Sequence, residues 1–521
     1  MQDCYWHDTS DLIRVSGEFK PREYVTVYNF PNPNYDEHSR TFTAPITTSH
    51  EFGENASVVF HEVLHFLQAA STPVGVQLHL STAAQFQYMW AILLHCKKAG
   101  ANTLHIPVPS WVANSDNIRQ IPAIQQALLE SDHQAAMQYF FQGGALARQS
   151  PIVTRDVEYT ESTSIDTATQ NVTDLVPTTV PIVTFRTDTK KPQQYIVGTF
   201  LIWEGMARLF QRYFENRFLE RRILCSRPFQ KERIVLHQLR YYGLYNLFLE
   251  YLSYNDLASI DLFLALCELS LMYDLQTEMQ AARLGLKAIE DKSVLRWLTP
   301  GMVFLKALAC VAEHTFDLID LPLDSVVAFI LRDLSLPSPD EQLAKAMANL
   351  QDLKEQTTHA DTYWNFFPFD MHIALLQRRR SLYGEKLTIQ VYRSIARLSD
   401  PLEKTAAQLD FWHTFRDLLP LHFYSNCSSQ GDDPAAWREH EYTAFQRHIL
   451  SCMYARNKIN CLLEEIDRLH LCPHHRKCQH VFPGAPLHQK IDCPHFDFLG
   501  NLLKGRLGIV DFLSATEPTQ G

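Results

Sequence analysis

Five consecutive residues, His61-Glu62-Val63-Leu64-His65, carry the most specific chemistry in the chain. If this stretch is helical, the two histidines lie one turn apart on one face. Two neutral imidazoles so placed can bind a single divalent ion, and the carboxylate between them can take a proton from a water there. The flanks favour a helix. Val58, Val59, Phe60, Val63, Leu64, Phe66 and Leu67 make the segment apolar almost all round, as in a helix at a domain centre. Asn55 or Ser57 offers a cap at its start, and Pro73 with Gly75 signals its end. Polar side chains in so apolar a helix need partners, since an unpaired buried polar group costs about 2–7 kcal/mol. A metal ion is one such partner. Backbone or carboxylate groups around an ordinary core helix are the alternative.

A hydrolytic zinc site needs a third protein ligand and an open fourth position. The metzincin extension is missing, because Gln68 and Ser71 stand where its glycine and third histidine would be. Glu204 is the better candidate. It sits at the centre of Gly198 to Arg208, where apolar residues recur with a helical period. Gly205 costs about 1 kcal/mol relative to alanine inside a helix, so close packing against another helix is expected there. Ala207 leaves room on the carboxylate's own face. An ion pair with Arg208, one turn later, is the other role open to Glu204.

The segment His61-Glu62-x-x-His65 with a downstream Glu204-Gly205-Met206-Ala207 resembles the gluzincin branch of zinc metallopeptidases. It is more closely similar to a set of largely uncharacterised bacterial proteins. Their first helix reads His-Glu-x-x-His-Phe-x-Gln before a Thr-Pro-x-Gly turn, matched here by His61 to Gln68 and Thr72-Pro73-Val74-Gly75. The resemblance covers residues 50–275 at most and implies His61, His65 and Glu204 as zinc ligands with Glu62 as catalytic base. The spacing from His65 to Glu204 is much longer than in thermolysin-like enzymes. Arg208 also stands where those enzymes carry an aspartate that supports a ligand.

The reaction so implied is endopeptidase hydrolysis of a specific protein substrate by a metal-activated water, with Glu62 as general base. A donor for the developing oxyanion is expected beside the metal. Tyr241, Tyr242, His237 and Arg208 could serve, and the sequence selects none of them. Two other readings stay open: a catalytically inactive zincin-like scaffold, and a partner-binding helical protein in which the motif is accidental.

The carboxyl-terminal end poses a separate question. Cys472-Pro473-His474, Cys478 and Cys493-Pro494-His495 bring together thiols and imidazoles, the ligand set of structural zinc, although the spacing fits no standard finger. A second, structural zinc held by Cys472, Cys478, Cys493 and His495 is the expectation. A cysteine-rich end packed on the helices, or a redox sensor, would use the same residues.

Composition bounds the setting. A chain of 521 residues with 46% hydrophobic content is long enough for two or three domains with real cores. The start, Met1 to Asp8, has neither a basic nor an apolar region of a secretory signal. The most apolar run, Leu257 to Tyr273, is interrupted by Asp261 and Glu268, so no membrane span is expected. The eleven cysteines then read as reduced thiols of a cytoplasmic protein. A net charge of −11 disfavours nucleic acid as a partner, and Arg378-Arg379-Arg380 reads as a solvated helix face.

The expected fold is mainly α (α+β). Residues 1–295 would form a zincin-like metallopeptidase domain with a small β-rich insertion at 151–191. Residues 296–465 would form a helical domain offering a protein-partner surface, and 466–521 the Cys/His-rich tail. Tyr24 to Phe30 alternates as a strand, and Pro151–Tyr159 with Thr179–Arg186 are candidate strands of the insertion. They form either a hairpin whose edge pairs with substrate above the metal helix or an insertion of no such role. Ala83–Ala99 and Leu257–Leu275 read as helices, the latter backing the metal site. Ser338-Pro339-Asp340-Glu341 reads as a capping box. Turn signals at Thr299-Pro300-Gly301 and Leu336 to Pro339 place the domain boundary.

Overall fold

The structure, a computed structural model, describes residues 17–20, 24–32, 35–39, 41–42, 56–100, 103–115, 118, 120–145, 158–162, 180–185, 193–218, 239–252, 260–273, 299–357, 367–383, 421–428, 439–456, 461–471 and 511–514. These are mainly helical. The first part holds β1 (Gly17–Lys20), β2 (Val25–Tyr28), β3 (Tyr35–Asp36), β4 (Thr41–Phe42), α1 (Ala56–Ser71) and α2 (Pro73–Lys98). Then come β5 (Thr103–Ile106), α3 (Val108–Asn114), α4 (Pro122–Gln142), β6 (Gly144–Ala145), β7 (Glu158–Ser162), β8 (Val180–Phe185) and β9 (Gln193–Ile196). Helices α5 (Thr199–Phe218), α6 (Leu239–Tyr251), α7 (Ile260–Met272), α8 (Pro300–Glu313) and α9 (Thr315–Leu318) follow. The rest comprises α10 (Leu323–Asp333), α11 (Pro339–Thr357), α12 (Phe369–Tyr383), β10 (Leu421–Phe423), α13 (Glu439–Ala455), α14 (Leu462–Glu465) and β11 (Asp511–Ser514).

Helix α1 carries the HExxH residues and is buried from Val59 to Ser71, as its all-round apolar pattern requires. One residue separates it from α2. The Thr72 hydroxyl accepts from Gly75 N at 3.1 Å, capping a helix whose first position is Pro73. Pro73 and Gly75 therefore begin α2 as well as ending α1, and α2 starts well before the expected Ala83. Glycine is required at this turn: a Cβ on Gly75 would lie 2.3 Å from the Gln68 carbonyl oxygen and 2.5 Å from that of Ala69.

Helix α2 serves two cores. Its Val74 and Leu78 join one cluster with Leu64 and Phe66 of α1, Leu201 and Ile202 of α5, Phe248 of α6 and Phe263 of α7. Val76 and Leu80, on its opposite side, join Val25, Phe86, Leu343 and Phe445 in the second. The first cluster also contains Phe304 and Leu308 of α8 and Leu375 of α12. A division at 295/296 therefore does not separate the described core. Thr299-Pro300-Gly301, expected to mark that boundary, is the start of α8: Thr299 caps it through Met302 N at 3.3 Å. A Cβ on Gly301 would lie 1.9 Å from Val197 O, so this helix start presses on the connection between β9 and α5. The capping box at α11 forms, with Ser338 N donating to Glu341 Oε2 at 2.8 Å and Glu341 N to Ser338 Oγ at 3.3 Å.

Among the described residues the strands form four small sheets, two of them the pairs β3-β4 and β5-β11; the other two are larger. Strands order as β1-β2-β10, with β1 antiparallel and β10 parallel to β2, and both β1 and β2 pack along α1. The second sheet, β6-β9-β8-β7, is antiparallel throughout. Strand β8 matches the expected 179–186, while β7 starts only at Glu158, and residues 151–157 lie outside the described residues. This sheet packs on α8 through β8 and feeds α5 through β9, whereas among the described residues β1 and β2 run along α1. Arg379, expected on a solvated face, is only 3% exposed. It reaches Glu268 of α7 at 2.7 Å and Ser71 Oγ of α1 at 2.7 Å, and a carboxylate this close is what lets a guanidinium stay buried. Among the described residues no helix is long and apolar enough to cross a membrane.

Candidate metal centre

Helices α1 and α5 pack against each other, and their contact brings the distant residues of the motif together. The start of α5 is fixed by close backbone approach. A Cβ on Gly198 would lie 2.6 Å from Phe141 O, and the Thr199 hydroxyl donates to that same carbonyl at 3.1 Å. Helix periodicity then carries Glu204 to the face turned toward α1. His61 Nε2 and His65 Nε2 stand 3.0 Å apart, and Glu204 Oε2 is 3.4 Å from each. Tetrahedral zinc with bonds of 2.0–2.1 Å sets its ligand atoms about 3.3–3.4 Å apart; the two Glu204 edges match this, while the edge between the histidines is shorter. The group could hold a metal ion.

The surroundings sharpen its chemistry. His61 and His65 are buried, and the Glu204 side chain is 15% exposed. Burial alone would push the Glu204 carboxyl up, but His65 and then His61 beside it hold it well below the usual carboxylate range. Burial disfavours the charged form of His65, yet Glu204 raises that ring above the ordinary histidine value. Without a cation, a proton is therefore favoured within the triangle. Glu204 Oε2 and His61 Nδ1 are buried and make no hydrogen bond. Both are positions where a buried polar atom is costly unless something else partners it.

No family model, no curated protein and no solved structure matches this chain. What the centre can do follows from its own residues.

His61, His65 and Glu204 are thus brought together, and Glu62, next in sequence to His61, is buried on the same helix. The alternative partner for Glu204 is engaged elsewhere: Arg208 donates from Nε to the Tyr242 hydroxyl at 2.9 Å and from Nη1 to Gln211 Oε1 at 2.6 Å. Its guanidinium also lies 5.8 Å from the centre of the Tyr241 ring. Tyr241 meets the His61 ring edge-to-face at 6.1 Å, which places this candidate oxyanion donor, among the described residues, in ring contact with the cluster. Gly205 faces Phe263 and the Tyr241 carbonyl, where a Cβ would find ordinary contact at 3.5 and 3.6 Å. His237 lies outside the described residues, as do Cys472, Cys478, Cys493 and His495.

One residue matched in the sequence, Gln68, takes a role that the sequence did not assign. His65 Nδ1 lies 3.0 Å from Gln68 Oε1, and the Gln68 amide nitrogen donates to the Trp203 carbonyl at 3.4 Å. The signal was its position three residues after His65, hence on the same helix face. The end of α1 is also held from outside: His372 Nδ1 lies 2.9 Å from Ala70 O, and since a carbonyl only accepts, the ring donates.

Proposed function

We propose that this chain is a zinc-dependent peptidase with a zincin-like fold, acting on a protein substrate in the cytoplasm. His61, His65 and Glu204 would hold the zinc, and Glu62 would be the general base. The observation that carries this reading is the triangle of two Nε2 atoms and one carboxylate oxygen, closed by residues from two helices far apart in sequence. Bound there, zinc would supply a Lewis acid and bring the pKa of a water to roughly 7.

The protein's own groups do the rest. The Glu62 carboxylate takes a proton from the attacking water and delivers it to the amine nitrogen released from the substrate. Glu204, held ionised beside the histidines, contributes the negative charge of the ligand set. The apolar walls of α1 and α5 keep bulk water from the rings and strengthen these interactions. Six described cysteines are buried free thiols, which agrees with a reducing compartment.

Profiling against a peptide library tests the activity. The intact protein should cleave a defined set of sequences, and Glu62→Gln should retain zinc while losing about 10²–10⁴-fold of that cleavage. Equal processing by both proteins would rule out Glu62 as the base.

A further inference from the structure

Gln68 connects the two halves of the centre. Its side chain is buried, 4% exposed, and spans from the ring of one proposed ligand to the backbone carbonyl preceding another. The bonding is unambiguous in direction. The Trp203 carbonyl can only accept, so the Gln68 NH2 faces it and the Gln68 amide oxygen faces His65. That oxygen also only accepts, so His65 carries its proton on Nδ1. The lone pair of His65 is thereby left on Nε2, the atom 3.4 Å from Glu204.

Gln68 is itself fixed from behind. The Thr72 hydroxyl donates to the Gln68 main-chain oxygen at 2.5 Å, and the absence of a side chain on Gly75 lets the turn close on that oxygen. His61 offers a contrast within the same site, since its Nδ1 has no hydrogen-bond partner.

We propose that Gln68 is a positioning residue of the metal centre: it sets the tautomer and orientation of His65 and ties α1 to α5 beside Glu204. This rests on the reading of His61, His65 and Glu204 as metal ligands. Outer partners of ligand histidines usually contribute about 10–100-fold in metal affinity. Gln68 should do the same, acting through His65 rather than touching the ion.

The test measures zinc affinity by chelator competition and records the cobalt(II) absorption spectrum of the full chain and three variants. Gln68→Met keeps length and removes both hydrogen bonds. Gln68→Glu keeps an acceptor for His65 and loses the donor to Trp203. His65→Ala removes the ligand. The intact protein should bind at the site, Gln68→Met should weaken zinc about 10–100-fold with an altered cobalt spectrum, and Gln68→Glu should recover most of the affinity. A merely structural glutamine would not be rescued by a carboxylate against the Trp203 carbonyl. Affinity unchanged in Gln68→Met, or as weak in Gln68→Glu as in Gln68→Met, would overturn the positioning role while leaving the centre in place. Zinc binding equal in the intact protein and His65→Ala would instead remove the metal reading itself. Should Gln68→Met fail to fold by circular dichroism, Gln68→Asn replaces it, because its amide is one methylene too short to reach His65 and it is expected to bind as weakly.

Discussion

Two imidazole nitrogens 3.0 Å apart in a buried site repel unless a proton or a cation lies between them, and Glu204 completes a pocket suited to either. On the proposed metal reading, zinc and a proton would compete for this site. Glu204 raises His65 above the ordinary histidine value of 6.5, and the metal requires the neutral ring. Zinc affinity should therefore strengthen as pH rises through that raised value and weaken below it, with proton release on binding. Calorimetry in buffers of different ionisation heat measures this directly, and binding without proton release would contradict it. At this scale the meeting of the three side chains was legible in the sequence: spacing by four puts His61 and His65 on one face, and an acidic residue in an apolar helix singles out Glu204. The role of Gln68 was not legible, because it depends on a backbone carbonyl at Trp203 that only the packed pair of helices brings within reach.

At the level of elements, glycines show what patterning can and cannot say. Gly205 looked like the residue that admits a close helix neighbour, yet a methyl there meets Phe263 and the Tyr241 carbonyl at ordinary distance. Gly75, a turn residue in the sequence, leaves no room for a Cβ, as Gly198 and Gly301 also do. Gly205→Ala should be neutral or stabilise by up to about 1 kcal/mol, the helix-propensity difference. Gly75→Ala should destabilise by about 1–3 kcal/mol or more, and weaken metal binding as the Gln68 carbonyl is pushed away. Thermal unfolding of both variants checks the order, and reversed signs would refute the packing of α1 on α2. Helices at α1, α5, α7 and α11 were legible because apolar periodicity or a capping box marks them. The burial of Arg379 was not, because its partners Glu268 and Ser71 lie on helices distant in sequence.

For the molecule as a whole, one core spans residues on both sides of position 295, and buried histidines join its parts. Turn signals suggested a boundary there because proline and glycine punctuate helix starts as well as linkers. Burial pushes His372 and His422 from 6.5 down to about 4, so both are neutral in the folded protein. In the unfolded chain they take up protons near 6.5, so the unfolded state binds more protons between pH 6.5 and 4. Stability is thus fully present above pH 6.5 and should fall as pH drops toward 4, by on the order of 3 kcal/mol for each histidine. Denaturant titrations across that range test it, and His422→Phe should flatten the dependence. The most direct measurement of the central claim is zinc per chain in the intact protein and in Glu204→Ala, purified and dialysed identically. The difference between the two removes any ion held by the carboxyl-terminal cysteines. One equivalent fewer in Glu204→Ala is the predicted result; equal zinc in both proteins would contradict the account.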